Sequence, residues 1–123
     1  MKIILHITSR EDWEAALSSG FYRSASLDAE GFIHCSTLGQ TVDTADRFFP
    51  GRRDLVLLCI DEDRAGSEVR YEGPASDHDP RMESRFPHIY GPLNVSAVVR
   101  VVAFVPDAGG HFALPAELGA FQA

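Results

Sequence analysis

The chain has 123 residues and a mass of 13.5 kDa, a length that fits one domain over residues 1–123 with a core of its own. Hydrophobic residues make up 45% and charged residues 24%, the balance of a soluble globular protein. The formal charge is −7, with a single lysine, Lys2, and one compact basic run, Arg52-Arg53. This argues against a DNA or RNA surface, which needs clustered Lys and Arg. No segment approaches the roughly 20 apolar residues of a membrane span.

Residues 2–8 (KIILHIT) form a short apolar run that predicts a central strand with His6 near its end. Ser9 with Asp12 opens a helix in the manner of a capping box. Trp13, Ala16 and Leu17 give it an apolar stripe, and Gly20 ends it. Phe21-Tyr22-Arg23-Ser24 reads as a loop, with Tyr22 placed to stack on a ligand ring, and residues 26–30 as a polar lead into the next strand. Phe32 to Ser36 is that strand. Alternation puts His34 and Ser36 on one face and Cys35 on the other.

Thr37 with Gln40 marks a second helix, running to about Phe49 on a stripe of Val42, Ala45, Phe48 and Phe49 and broken by Pro50-Gly51. Residues 54–60 (DLVLLCI) predict a fully buried strand, and Asp61-Glu62-Asp63 a solvated acidic turn. Residues 69–72 (VRYE) alternate as an edge strand does. Residues 73–85 make a loop of the length often used to cover a ligand, with Arg81 and Arg85 available to an anion. The run Phe86-Pro87-His88-Ile89-Tyr90-Gly91-Pro92-Leu93 is stiffened by its prolines and so holds His88 and Tyr90 in place. Residues 97–105 are a long β-branched strand. His111 follows in an exposed turn, Phe112 and Leu114 close the core, and the Ala-rich tail is a short helix or a frayed end.

Three histidines in apolar settings, His6, His34 and His88, are the candidate site if the fold brings them together. Each can exchange a proton near neutral pH. A zinc site of converging imidazoles is one rival, although none of the three has ligand-type spacing to another. A Cys35–histidine dyad is a second, and it suffers because Cys35 faces away from His34 on a regular strand. Ser36 lacks the elbow glycines of a nucleophilic serine. Cys35 and Cys59 lie in apolar segments without CxxC spacing and read as reduced thiols. The N-terminal residues enter a strand without a signal-type apolar run, and the expected location is the cytoplasm.

The motifs GFIHCS, DLVLL, VRYEG and FPHIYGPLN together resemble a family of short bacterial proteins, the domain of unknown function numbered nine-five-two. The resemblance runs from His6 to Phe112. It implies an α+β fold like that of ADP-ribosyltransferases, with split antiparallel β-sheets, two or three short helices and NAD held in the cleft between the sheets. By the same resemblance His6 matches a first-strand polar residue that holds a ribose, and His34 or Ser36 faces the cleft. His88 stands where those enzymes keep a glutamate. A neutral imidazole can hold a hydroxyl but lacks the anion that stabilises an oxocarbenium-like charge, and Glu72 on a neighbouring strand is the substitute.

The expected function is therefore binding of NAD or an ADP-ribose-like nucleotide, with ADP-ribosyl transfer or hydrolysis at its glycosidic bond. The residues expected at the chemistry are His6, His34, Glu72 and His88, with Tyr22, Ser36 and Tyr90 at the ligand and no metal. The alternatives are a non-catalytic small-molecule or protein-binding module and a His-rich metal-dependent hydrolase.

Overall fold

The computed structural model describes residues 1–75 and 78–121. Among the described residues, eight strands and three helices follow in the order β1 (Ile3–Ser9), α1 (Arg10–Ser19), β2 (Phe21–Tyr22), α2 (Ala25–Glu30), β3 (Ile33–His34), α3 (Thr41–Phe48), β4 (Leu55–Asp61), β5 (Glu68–Glu72), β6 (Phe86–Tyr90), β7 (Leu93–Asn94) and β8 (Val98–Phe104). This is an α+β fold with its antiparallel sheet split in three. The strands are ordered β1-β4-β8, β2-β7 and β3-β6-β5.

The most apolar segment occupies the middle of the first sheet. β4 is buried along its whole length, because both of its faces are covered. On one face Ile4, Val56, Leu58 and Ile60 meet Trp13 of α1, Leu27 of α2, Ile33, Ile89 and Leu93. On the other, Leu5, Ile7, Leu57 and Cys59 meet Ala45 of α3, Phe104, Phe112 and Leu118. The tail reaches this second core as a 3-10 turn over Ala116–Phe121.

The first helix signal acts as read. Ser9 Oγ accepts from the Asp12 N–H at 3.1 Å, and Gly20 closes α1 at φ 85°, a left-handed geometry that glycine tolerates best. Gln40 Oε1 accepts from the Thr37 N–H at 3.0 Å, but α3 starts only at Thr41, with Gln40 as its N-cap and no side-chain cap bond, later than the Thr37 signal implies. Gly91 is fixed more tightly. At φ 151° it turns the chain between β6 and β7, where a Cβ would lie 2.5 Å from Ser67 Oγ.

Several expectations are corrected. Residues 21–22 are a strand paired with β7 rather than loop, and residues 25–30 are a helix rather than a polar lead. The strand expected over Phe32–Ser36 shrinks to Ile33–His34: the Cys35 N–H still reaches the Pro87 carbonyl of β6 at 3.0 Å, and Ser36 pairs instead with Leu5 of β1. Leu17 and Phe48, expected in buried stripes, are exposed. Residues 76 and 77 of the 73–85 loop, and 122–123 of the tail, lie outside the described residues.

Candidate functional site

The cleft is built where two sheets touch. Leu5 and Ser36 exchange both backbone hydrogen bonds, at 2.7 and 2.8 Å, which joins β1 to the chain just after β3. His6 is thereby set beside the main chain of His34. In the next sheet His34 lies directly opposite His88 across the β3–β6 ladder, a pairing that brings side chains within contact range. Their rings meet edge-on with centroids 5.5 Å apart, and Phe32 stacks on His88 at 4.2 Å. Two of the three imidazoles, those of His34 and His88, meet; His6 reaches only the backbone of His34 and lines a different hollow from His88.

His6 is buried, and both its nitrogens are taken. Nδ1 lies against the carbonyl oxygen of His34, and Nε2 is 2.7 Å from the Tyr22 hydroxyl, which is itself 2.9 Å from Thr8 Oγ1. A carbonyl only accepts, so Nδ1 carries the proton. Burial pushes the imidazole down to about 4, leaving it neutral at pH 7. Nε2 is thereby left as the lone-pair nitrogen, facing the Tyr22 hydroxyl that donates on to Thr8 Oγ1. Burial likewise pushes Tyr22 up to about 12. His6 and Tyr22 thus hold the His34 backbone. The expected roles, a ribose donor and a stacking ring, do not match these bonds.

His88 has the opposite character. Its Nδ1–H donates to Glu72 Oε1 at 2.9 Å, and the Tyr90 hydroxyl donates to the same oxygen at 2.6 Å. The two donors, Tyr90 first, lower the Glu72 pKa, and burial lowers that of His88. The result is a neutral imidazole whose Nε2 has no partner among the described residues. Carboxylate–imidazole pairs of this kind fix tautomer and orientation. On the neighbouring element His34 Nε2 lies 3.0 Å from Glu30 Oε1.

Two hollows open beside these residues. The larger, of about 400 Å³, is lined by Glu30, His34, His88, the aromatic rings of Phe48, Phe49 and Phe86, and Pro74, Ala75, Asp79 and Arg81 of the 73–85 loop. The smaller, of about 300 Å³, is lined by His6, Thr8, Tyr22, Ser24, Ser36 and Arg52 among others. His34, Cys35, Thr44 and Phe49 belong to both, so the hollows adjoin at His34.

Glu72 and Tyr90 line neither hollow. They stand behind His88, and the Tyr90 ring is capped by the Arg70 guanidinium at 4.4 Å. Ser36 lies on the smaller hollow but is spent on Thr41, 2.7 Å between hydroxyl oxygens. Arg81, expected to be open to an anion, is bound to Asp79.

Sequence reasoning missed Glu30, the carboxylate on the wall. It ends a helix that polar composition concealed. Cys35 was expected to face away, yet it lines both hollows, because regular alternation stops at His34. Burial pushes its thiol well up, and a protonated thiol is a poor nucleophile. No group of three His, Cys, Asp or Glu suited to a metal occurs among the described residues, nor does a helix long and apolar enough to cross a membrane.

Fold and cleft define a class: a small α+β protein with a split antiparallel sheet and a histidine-lined hollow at the split. The chain belongs to the family described as Protein of unknown function (DUF952), whose model matches residues 7–101. It is similar to protein CC0527 from Caulobacter crescentus. The crystal structure of that protein has a TM-score of 0.79 at 36% identity, covering 98% of this chain and 97% of that one. Its solution NMR structure has a TM-score of 0.75 at 36% identity, covering 100% and 98%. No curated protein matches the chain.

Proposed function

We propose that the joined hollows bind NAD or an ADP-ribose-like nucleotide, and that the glycosidic bond of this ligand is transferred or hydrolysed beside His88. The reading joins the ADP-ribosyltransferase-like resemblance to one observation. His88 is held by Glu72 as a neutral base whose second nitrogen has no partner among the described residues, on the wall of a hollow that also carries Glu30. Hollows of about 400 and 300 Å³ fall in the size range of small-molecule sites, roughly 300–1,000 Å³.

The chemistry follows from the residues. The C1–N bond of the ribosyl group breaks and the base leaves with the electron pair. Water or an acceptor hydroxyl forms the new C1–O bond, and its proton passes to His88 Nε2. The anion that the family resemblance places at position 88 is replaced from the wall. Glu30 faces the developing positive charge, while Glu72 acts through His88.

Incubation of the purified chain with NAD, with chromatographic detection of free nicotinamide, tests turnover. A thermal-shift series with NAD and ADP-ribose tests binding, since a ligand of the folded state raises the midpoint. Release of nicotinamide supports the reading in full. A midpoint shift without release supports a binding module, and the absence of both signals contradicts the proposal.

A further inference from the structure

Glu72 reaches His88 across a diagonal. In the β5–β6 ladder it stands opposite Phe86, while Arg70 stands opposite His88 and Glu68 opposite Tyr90. Alternation puts all three of these β5 side chains on the face that carries His88 and Tyr90. By register alone, then, a cation faces His88 and the carboxylate lies one step along, within reach only of a long side chain. Two contacts reverse that order. The Arg70 guanidinium gives Nε and Nη2 to the two oxygens of Glu68 at 2.9 and 3.0 Å and lies over the Tyr90 ring at 4.4 Å. The Tyr90 hydroxyl donates to Glu72 Oε1 at 2.6 Å, the same oxygen that accepts from His88 Nδ1 at 2.9 Å.

Glu72 needs such a hold. Its side chain is 40% exposed against 3% for His88, so water competes for the carboxylate but hardly for the imidazole. A single bond to His88 would have to offset the side-chain entropy of Glu72 unaided. The second donor adds a charge-assisted bond, the shorter of the two. That donor is itself anchored, between the Arg70 guanidinium and the Phe32 ring, whose centroid is 5.3 Å away.

We propose that Tyr90 is a positioning residue: its hydroxyl holds Glu72 on His88 Nδ1 and so fixes the tautomer that leaves His88 Nε2 as a base. Tyr90 lines neither hollow, so it acts through Glu72 and not on the ligand. The kinetic consequence rests on the functional reading above, whereas the effect on the His88 ring does not.

Tyr90→Phe keeps the ring beneath Arg70 and removes only the donor. Long-range proton–nitrogen spectra of the protein without ligand read the His88 tautomer directly. Wild type should show one tautomer, protonated at Nδ1. In Tyr90→Phe the two His88 nitrogen shifts should move toward each other as the tautomers exchange, while those of His6 stay in place. In nicotinamide release, Tyr90→Phe should lower kcat by about tenfold with KM unchanged. Combined with Glu72→Gln it should be no slower than Glu72→Gln alone, because both act through one bond. Unmoved His88 nitrogens, a raised KM with kcat unchanged, or a double variant slower by the product of the single losses overturns the inference. Shifted His88 nitrogens in a protein that releases no nicotinamide remove the functional reading and leave Tyr90 as the residue that sets the tautomer.

Discussion

His88 and His6 are both buried imidazoles, and their hydrogen bonds give them different work. His88 spends one nitrogen on Glu72, and the other has no partner among the described residues. His88→Gln should reduce nicotinamide release by about a hundredfold or more, the usual scale of a lost general base. Glu72→Gln keeps an acceptor for Nδ1–H, and its loss should be smaller, about tenfold. Equal rates in wild type and both variants would remove His88 from the chemistry. His6 spends both nitrogens on the protein, and its effect belongs to stability. Unfolded, it titrates near 6.5; folded, burial takes it down to about 4. Protons then favour the unfolded chain. The stability present above pH 6.5 is lost as pH falls toward 4, by about 3 kcal/mol from this residue. The depressed His88 adds to the same slope. Melting temperatures measured from pH 7 to 4.5 should fall less steeply in His6→Gln than in wild type, and parallel curves would contradict the assignment.

At the scale of elements, apolar runs with clear punctuation were legible and short ones were not. The apolar run over residues 54–60 announces a buried strand because it fits the middle of a covered sheet, and β4 follows it at Leu55–Asp61, with Asp61 buried rather than in the solvated turn expected. Ser9 and Gly20 mark α1 because caps act locally. By contrast, α2 has six residues, Leu27 as its one buried position and no side-chain cap bond, so no periodicity betrays it. β3 is two residues long, and the alternation inferred for 32–36 fails where the chain crosses to Leu5. The 73–85 loop was recognised by length, but its fastening was not. Arg81 lies against the Phe86 ring at 4.6 Å and ties Asp79 to Thr44 of α3. Arg81→Ala strands the buried Asp79 carboxylate, and removing one member of a buried pair is costly. The melting temperature should drop by about 5 °C or more, and amide exchange should quicken in residues 78–85 while β4 stays protected. Unchanged exchange there would show that the loop is held by other contacts.

For the whole molecule, the central sheet buries both faces, and the histidine cleft lies where that sheet meets the β3-β6-β5 sheet. The split-sheet α+β architecture was legible through family motifs spread over most of the chain. The division of labour among the histidines was not. It depends on partners 16 and 28 positions away, Tyr22 and the His34 carbonyl for His6, and Glu72 for His88. Sequence spacing carries no record of such contacts. The central claim is that His34 and His88 face a nucleotide across this cleft while His6 supports them from behind. Long-range proton–nitrogen correlation spectra of the imidazoles, recorded while NAD is titrated in, test it most directly. The His34 and His88 nitrogens should move in a saturable way while those of His6 and His111 stay in place. A titration to millimolar NAD that leaves His34 and His88 unmoved would contradict the account.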